Sequence, residues 1–265
     1  MMRFVGALLL FAAVFFVPAA AHAWSDDGHK VACAIAWEDL TRTARGGVKI
    51  ILGIDTKEQF AESCIWADEY SLENPESASW HFVPVRPRRR SVEIERDCRE
   101  PDSCALIQID RNIDLVRDGP ADLDKSKALK FLIHLVADVH QPLHVAQKKG
   151  DFGAEISASF LGRSTNLHDV WDNELLVEYG VPWNDLSTLL HEAISSEQRE
   201  VWTQSAPLAW ANESLDIAMS NSTGYARYSS VVLGESYLKG NIEVVRERLS
   251  QAGVRIGHIL NDLLD

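Results

Sequence analysis

The chain has 265 residues, is 46% hydrophobic and carries a formal charge of −13 at pH 7. That length allows one large domain with an apolar core, and no repeat, linker-like stretch or low-complexity segment indicates a second domain. The acidic balance argues against a polyanionic partner such as DNA or RNA, unless a local site reverses the field.

The first 23 residues are predicted to be a signal peptide. Arg3 is followed by an apolar run over 4–17 and by the small-residue pattern at 21–23. That run is short for a membrane span of about 20 residues, so cleavage is favoured over an uncleaved anchor. The mature domain would then cover 24–265, begin at Trp24, carry a charge of −14 once Arg3 is removed, and be secreted or periplasmic without stable membrane association.

The four cysteines agree with export, because an even set in the mature chain is typical of disulfides in an oxidising compartment. Four cysteines allow three pairings. The short loop "REPDS" between Cys98 and Cys104 favours closing that pair, which leaves Cys33 with Cys64. A structural zinc site is the alternative, although the chain has no C-x-x-C pair.

Most of the mature chain is predicted to be helical, so the fold class is mainly α, a single compact helical domain with a small β-hairpin. In chain order the predicted helices cover 28–40, 56–71, 102–119 and 122–140, followed by a pair of helices between 234 and 264 that turns near Gly253. Strand signals are confined to "WHFVPV" at 80–85 and to "AEISASFLG" at 154–162, where alternation predicts a hairpin near Gly162.

Two His-x-x-x-Asp pairs carry the chemistry. In "HLVADVHQPLH", His134 and Asp138 lie one helical turn apart on the same face, and His144 follows Pro142, which ends the helix. "HDVWD" repeats the spacing with His168 and Asp172. A single such pair is more often a buried hydrogen bond, but burying this many ionisable groups without a cation is costly, so the set indicates metal binding. His140 points to another face of the helix and suits a supporting role.

Five motifs in order resemble the S1/P1 family of zinc-dependent single-strand nucleases, which shares its fold with zinc-dependent phospholipase C. They are "WSDDGH", "WADEY", "WHFV", "FLIHLVADVHQPLH" and "TNLHDVWD", from Trp24 to Asp172. The resemblance implies hydrolysis of single-stranded DNA and RNA to 5′-mononucleotides by a monomer, with 3′-nucleotides as further substrates. It also implies a Cys33–Cys64 bridge like that of plant members.

The resemblance further implies three Zn²⁺ ions. One set is Asp68, His81, His134 and Asp138; a second is the free α-amine and carbonyl of Trp24, His29 and the shared Asp138; a third is His144, His168 and Asp172. The first two ions would form a bridged pair about 3.5–4 Å apart, with Asp68 and Asp138 as the catalytic residues, and six positive charges would attract the substrate locally. Signal cleavage would create the amine that binds metal.

Several positions depart from the family pattern. Phe82 stands where the family stacks a nucleobase, and a core aromatic beside a ligand histidine is the alternative. Pro84 replaces an Asp or Asn, Ser71 replaces an Arg, and "GAE" at 153–155 replaces "GGN". A solvated basic loop is the favoured interpretation of the run at 86–90, and we hypothesise that one of its arginines contacts substrate phosphate. A zinc-dependent phospholipase C is the alternative function, although it typically has Glu at position 172, and a non-catalytic zinc-binding protein is a more distant one.

Overall fold

The computed structural model describes residues 24–86, 88–100, 103–119, 124–147, 151–225 and 229–265, and it confirms the mainly α fold. The predicted signal peptide lies outside these residues. Short 3-10 turns cover Pro75–His81 and Pro142–Val145, and a π-helical turn covers Val170–Glu174. The α-helices are α1 (Asp26–Asp39), α2 (Arg42–Leu52), α3 (Lys57–Ser63), α4 (Trp66–Glu73), α5 (Ile94–Asp97), α6 (Ala105–Asp118), α7 (Lys125–Asp138), α8 (Leu167–Asp169), α9 (Leu175–Tyr179), α10 (Trp183–Ala193), α11 (Ser196–Thr203), α12 (Pro207–Met219) and α13 (Glu235–Leu264).

The single helix predicted over 56–71 is two helices. A capping box between Thr56 and Gln59 begins α3, which ends at Cys64. There the backbone turns, and the Cys64 carbonyl accepts a hydrogen bond from His134 Nδ1 at 2.6 Å. A carbonyl that bonds to a side chain outside the helix no longer continues the helical ladder. The break lets α4 start afresh at Trp66 and carry Asp68.

A small sheet covers one end of the fold. The predicted hairpin is present as β1 (Ser157–Phe160) and β2 (Arg163–Asn166). Leu161 and Gly162 both have positive φ in the tight turn, the backbone that suits a two-residue hairpin loop. A third strand, β3 (Ser230–Leu233), pairs with β1 in parallel and was not predicted. In "WHFVPV", Val85 forms an isolated bridge to Ala146.

Both predicted disulfides are present. Cys33–Cys64 ties α1 to the end of α3, and Cys98–Cys104 closes the loop between α5 and α6. All four cysteines are therefore paired, which contradicts the alternative of a cysteine zinc site. In the part of the chain described above, no helix is long and apolar enough to cross a membrane.

The C-terminal segment is one continuous helix, so the predicted turn near Gly253 is wrong. α13 runs along the buried α1, and Gly253 lies where the two helices approach most tightly. A Cβ on Gly253 would come within 2.5 Å of Ile35 Cβ and 2.8 Å of the Ala32 carbonyl oxygen. The glycine thus permits close helix packing, a role that a sequence pattern cannot distinguish from a turn.

A buried ionic cluster joins α12 and α13 to the end of α7. Glu213 accepts hydrogen bonds from Arg248 and Arg255 at 2.6–2.8 Å. His140 donates from Nδ1 to the Val136 carbonyl at 2.7 Å and accepts at Nε2 from Arg255 at 2.7 Å. Burial and the two arginines hold the pKa of His140 well below its usual value. His140 is therefore a neutral acceptor that fixes α13 behind the helix carrying His134 and Asp138.

Replacing Gly253 with alanine should destabilise the protein, because the new methyl group meets Ile35 and a backbone carbonyl that cannot move aside cheaply. We expect the free energy of unfolding in urea to fall by about 1–3 kcal/mol. Gly240 in the same helix is the matched control, since nothing lies within 4 Å of its added Cβ. There alanine should stabilise the helix by about 0.5–1 kcal/mol, and equal effects at both glycines would contradict the packing argument.

Candidate metal centre

Helix α7 places two ligand-type side chains at the centre of the fold. His134 and Asp138 lie one turn apart on its inner face, and both are fully buried. His134 Nε2 lies 3.2 Å from Asp138 Oδ2, which confirms that the predicted pair shares one face. The other predicted ligands lie around these two side chains.

Asp68 from α4 and His81 from the 3-10 turn complete the first group. His81 Nδ1 lies 3.0 Å from both Asp138 Oδ2 and His134 Nε2. Asp68 Oδ1 is 3.6 Å from His81 Nδ1 and 3.5 Å from His134 Nε2. The four residues predicted for the first site therefore converge on one point, as a shared cation would require.

Trp24 and His29 lie on the opposite side of Asp138. His29 Nε2 is 3.3 Å from Asp138 Oδ1, and His29 Nδ1 is 2.6 Å from the Trp24 carbonyl oxygen. The Trp24 ring is fully buried, and its indole nitrogen donates to the Ala137 carbonyl at 3.1 Å. Gly28 makes room for it, because a Cβ there would lie 2.8 Å from Trp24 Cβ. The carbonyl of Trp24 is thus held against His29, and its role as a metal-binding group stays a prediction.

The third predicted group is also assembled. The turn from α8 into the π-helical segment presents His168 and Asp172 together, with Nε2 3.0 Å from Oδ2. His144 Nε2 lies 4.0 Å from Asp172 Oδ1, and the His144 and His168 rings stack at 5.2 Å. Gln141 donates to Asp172, and this contact was not predicted. The ligand atoms of this group lie within 4.8 Å of one another.

The hydrogen bonds of the histidines show that these groups fit metal ions. Nδ1 of each of three rings bonds to a backbone carbonyl at 2.6–2.8 Å: His134 to Cys64, His144 to His81 and His168 to Phe152. In a neutral ring the lone pair then sits on Nε2, the nitrogen that faces the carboxylates. His144 Nε2 is buried without a hydrogen-bond partner in the described chain. Lone pairs that converge on carboxylate oxygens need a cation between them.

The pKa shifts of these buried groups also indicate that their charges need compensation. Burial alone would raise the pKa of Asp138, but contact with His134 and its neighbours holds it well below its usual range. His134 has its pKa raised, against the effect of burial, by Asp138 and Asp68. In the third group, burial raises the pKa of Asp172 to about 7 and lowers that of His144 to about 3. The charged form of Asp172 is thus disfavoured by burial despite the contacts with His168 and Gln141, and a divalent cation would compensate the charge.

Ser71, noted in the sequence only as a departure, supports His81. Its Oγ lies 2.9 Å from His81 Nε2 and donates to the Ala67 carbonyl at 3.0 Å. Because Ser71 Oγ is committed as a donor to Ala67, it accepts the Nε2 proton of His81, and the Nδ1 lone pair faces Asp138. The position thus orients a ligand-type imidazole, which a sequence pattern does not reveal.

Phe82 is packed beside the third group. Its ring lies 4.4 Å from the His144 ring and stacks at 4.2 Å on Phe152, which the sequence analysis did not select. Phe82 is only 9% exposed, and the half-buried Phe152 is the more accessible ring of the pair. Its role as a base-stacking residue stays a prediction. Pro84 lies two residues after Phe82 in the sequence, and the basic run at 86–90 comes next.

A protein-family model described as S1/P1 Nuclease matches residues 24–265. Endonuclease 4 of Arabidopsis thaliana is 27% identical, over 90% of this chain and 88% of its own length. Nuclease S1 of Aspergillus oryzae is 26% identical, over 89% of this chain and 90% of its own length. Nuclease P1 of Penicillium citrinum is 33% identical over 56% of this chain and 57% of its own length.

Replacing Ser71 with alanine should weaken metal binding without unfolding the protein, because His81 loses the acceptor that orients it. We expect roughly tenfold to hundredfold weaker binding of one divalent ion, measured by competition with a chromophoric chelator. Ser63 is the matched control, since among the described residues its hydroxyl bonds only to the Phe60 carbonyl. If the Ser71→Ala and Ser63→Ala variants bind metal alike, the orienting role is wrong.

Proposed function

This chain belongs to the S1/P1 nuclease family, and from that premise we propose that it is a zinc-dependent endonuclease of single-stranded DNA and RNA. Its products are 5′-mononucleotides, and the same site removes the phosphate of 3′-nucleotides. The observation that carries the proposal is the convergence of three groups of buried histidines and aspartates around α7 and the π-helical turn.

Three Zn²⁺ ions would be held by the nine predicted residues. Asp68, His81, His134 and Asp138 form one set, the main-chain groups of Trp24 with His29 and Asp138 form the second, and His144, His168 and Asp172 form the third. Imidazole nitrogens and carboxylate oxygens are the ligands that zinc takes at sites open to water. When bound, such ions supply Lewis-acid stabilisation of phosphate charge and a nucleophile from water at neutral pH.

The protein's own groups contribute charge and position. Asp138 is shared between two sets, because Oδ1 faces His29 while Oδ2 faces His81 and His134. We propose Asp68 and Asp138 as the catalytic residues. Only three carboxylates balance the six charges of the proposed ions, so the centre is locally positive in a chain of charge −13. That local field draws in a phosphodiester that the rest of the surface repels.

The aromatic pair beside the third group supports binding of an unpaired base. Phe82 and Phe152 stack on each other within reach of His144. Base stacking on aromatic rings is tolerant of sequence and requires a strand whose bases are not paired. We propose the pair as the base platform, with Phe152 as the ring that the base meets first.

Processing completes the second zinc set. In the unprocessed chain the nitrogen of Trp24 belongs to a peptide bond and cannot bind metal, whereas a free α-amine can lose its proton near neutral pH. We therefore propose that residues 1–23 are a signal peptide, that cleavage after Ala23 exports the protein, and that the secreted or periplasmic monomer is the active form. Two disulfides are typical of such a compartment.

The decisive experiment measures release of acid-soluble nucleotides from a single-stranded oligonucleotide by the chain that starts at Trp24. Chelation should abolish release and added zinc should restore it, while a duplex of the same sequence should be cut far more slowly. Phosphatidylcholine is the control substrate for the alternative of a phospholipase C. A zinc-loaded chain that leaves single-stranded DNA and RNA intact would overturn the nuclease proposal, whatever it does to lipid.

One extra glycine before Trp24 should remove the proposed amine ligand and leave the fold unchanged. We expect the bound zinc, measured by mass spectrometry of the metal, to fall from about three ions per chain to about two. Nuclease activity should fall with it. The chain that starts at Trp24 is the control, and equal zinc content in both proteins would rule out a ligand role for the α-amine.

A further inference from the structure

A cleft rich in arginine lies outside the metal centre. Its walls carry Arg86, Arg89, Arg96 and Arg99 together with Asp97 and Glu100, around a volume of about 320 Å³. Ligand sites in proteins begin at about this size. Four guanidinium groups in one concave place stand out on a chain whose formal charge is −13.

The four arginines are not equally engaged. Arg96 forms ion pairs with Asp97 at 2.7 Å and with Glu93 at 2.6 Å, so its charge is compensated within the protein. Arg99 donates from Nε to the Arg96 carbonyl at 3.0 Å. Within the described residues, the guanidinium groups of Arg86 and Arg89 have no hydrogen bond or ion pair. The side chains that line the cleft carry four positive and two negative charges, and the neighbouring Glu93 reduces this excess of two to one positive charge.

The cleft is built on a rigid frame. The Cys98–Cys104 disulfide closes the loop that carries Arg99 and Glu100. On the far side of that disulfide the Ala105 amide donates to the Phe82 carbonyl at 3.0 Å. These two bonds tie the wall that carries Arg99 to the segment of Phe82, and Arg86 and Arg89 follow Phe82 on that segment.

The cleft also adjoins the metal centre along two chain segments. Pro84 and Gln147 line it, and they lie two residues after Phe82 and three after His144. Such separations span at most about 7 and 11 Å. The segments are tied together, since the Val83 amide donates to the His144 carbonyl and the Gln147 amide to the Val85 carbonyl, each at 2.8 Å. A strand bound at Phe82 could therefore extend directly into the cleft.

We infer that this cleft binds backbone phosphates of the polynucleotide beyond the phosphodiester that is cut, through Arg86, Arg89 and Arg99. The inference rests on the proposed nuclease function and adds a subsite for long substrates. Guanidinium groups suit it because they present paired donors to phosphate oxygens and stay charged at every working pH. Arg88 and Arg90, in the same basic run, do not line the cleft.

The test compares two double variants. Arg86→Gln/Arg89→Gln removes two charges from the cleft, and Arg88→Gln/Arg90→Gln removes two charges from nearby positions that do not line it. The first probe is a fluorescent 12-nucleotide oligothymidylate bound to chelated protein, followed by anisotropy between low and moderate salt. We expect the cleft variant to bind roughly five- to tenfold more weakly, with a salt slope shallower by about 1.4, since each lost contact on a single strand removes about 0.7. The matched variant should bind like the wild type.

The second probe separates this inference from the proposed function. With zinc restored, the cleft variant should show a raised KM for the oligonucleotide and an unchanged kcat/KM for a 3′-mononucleotide, which is too short to reach the cleft. Equal binding by all three proteins, or equal loss in both variants, would overturn the subsite. A wild type that binds the oligonucleotide but cuts neither substrate would instead overturn the nuclease proposal and leave the binding comparison valid.

Discussion

The rest of the structure depends on one set of hydrogen bonds, in which buried histidines donate Nδ1–H to backbone carbonyls. Each bond fixes the tautomer of a ring and turns its Nε2 lone pair toward Asp138 or Asp172. The carbonyls come from distant segments, so the ligands also hold those segments together. The break between α3 and α4 is one result, because the Cys64 carbonyl leaves its helix to meet His134.

The C-terminal helix α13 packs against the helices that carry these histidines and stabilises their positions. Gly253 lets α13 approach α1, which carries His29, while Arg248 and Arg255 bind Glu213 and the end of α7. The two buried guanidinium groups share the half-buried Glu213 carboxylate, and backbone carbonyls of His140, Trp210 and Trp202 accept further hydrogen bonds from them. Two helices that carry proposed ligands, α1 and α7, are thus fixed by α13, which carries none of them. The C-terminal third of the chain contributes position to the site rather than chemistry.

Sequence patterns predicted what depends on local spacing and missed what depends on distant neighbours. The helices around His29 and His134, the hairpin at Gly162 and both disulfides follow from periodicity, turn residues and loop length. Gly253 resembles a turn residue in the sequence, and only the fold shows Ile35 packed against it. β3 has no hairpin turn to mark it, because it pairs in parallel with the distant β1. Ser71 and Phe152 carry no motif, because their roles arise only from His81 and Phe82 coming to them across the fold. The sequence shows that the run at 86–90 is basic. Only the folded structure shows that Arg86 and Arg89 line the cleft while Arg88 and Arg90 do not.

The packing of Trp24 over Gly28 also limits how this protein can change in length. Trp24 O and His29 Nδ1 meet across one helical turn, and the neighbouring Ser25 amide bonds to the Asp172 carbonyl at 2.8 Å. Adding or deleting one residue between Trp24 and His29 would swing the histidine by about 100° around α1, away from Asp138. Substitutions at 25–27 are therefore compatible with the site, whereas an insertion or deletion there is not. Under the proposed processing, the cleavage position before Trp24 is therefore fixed relative to His29 by about one turn of helix.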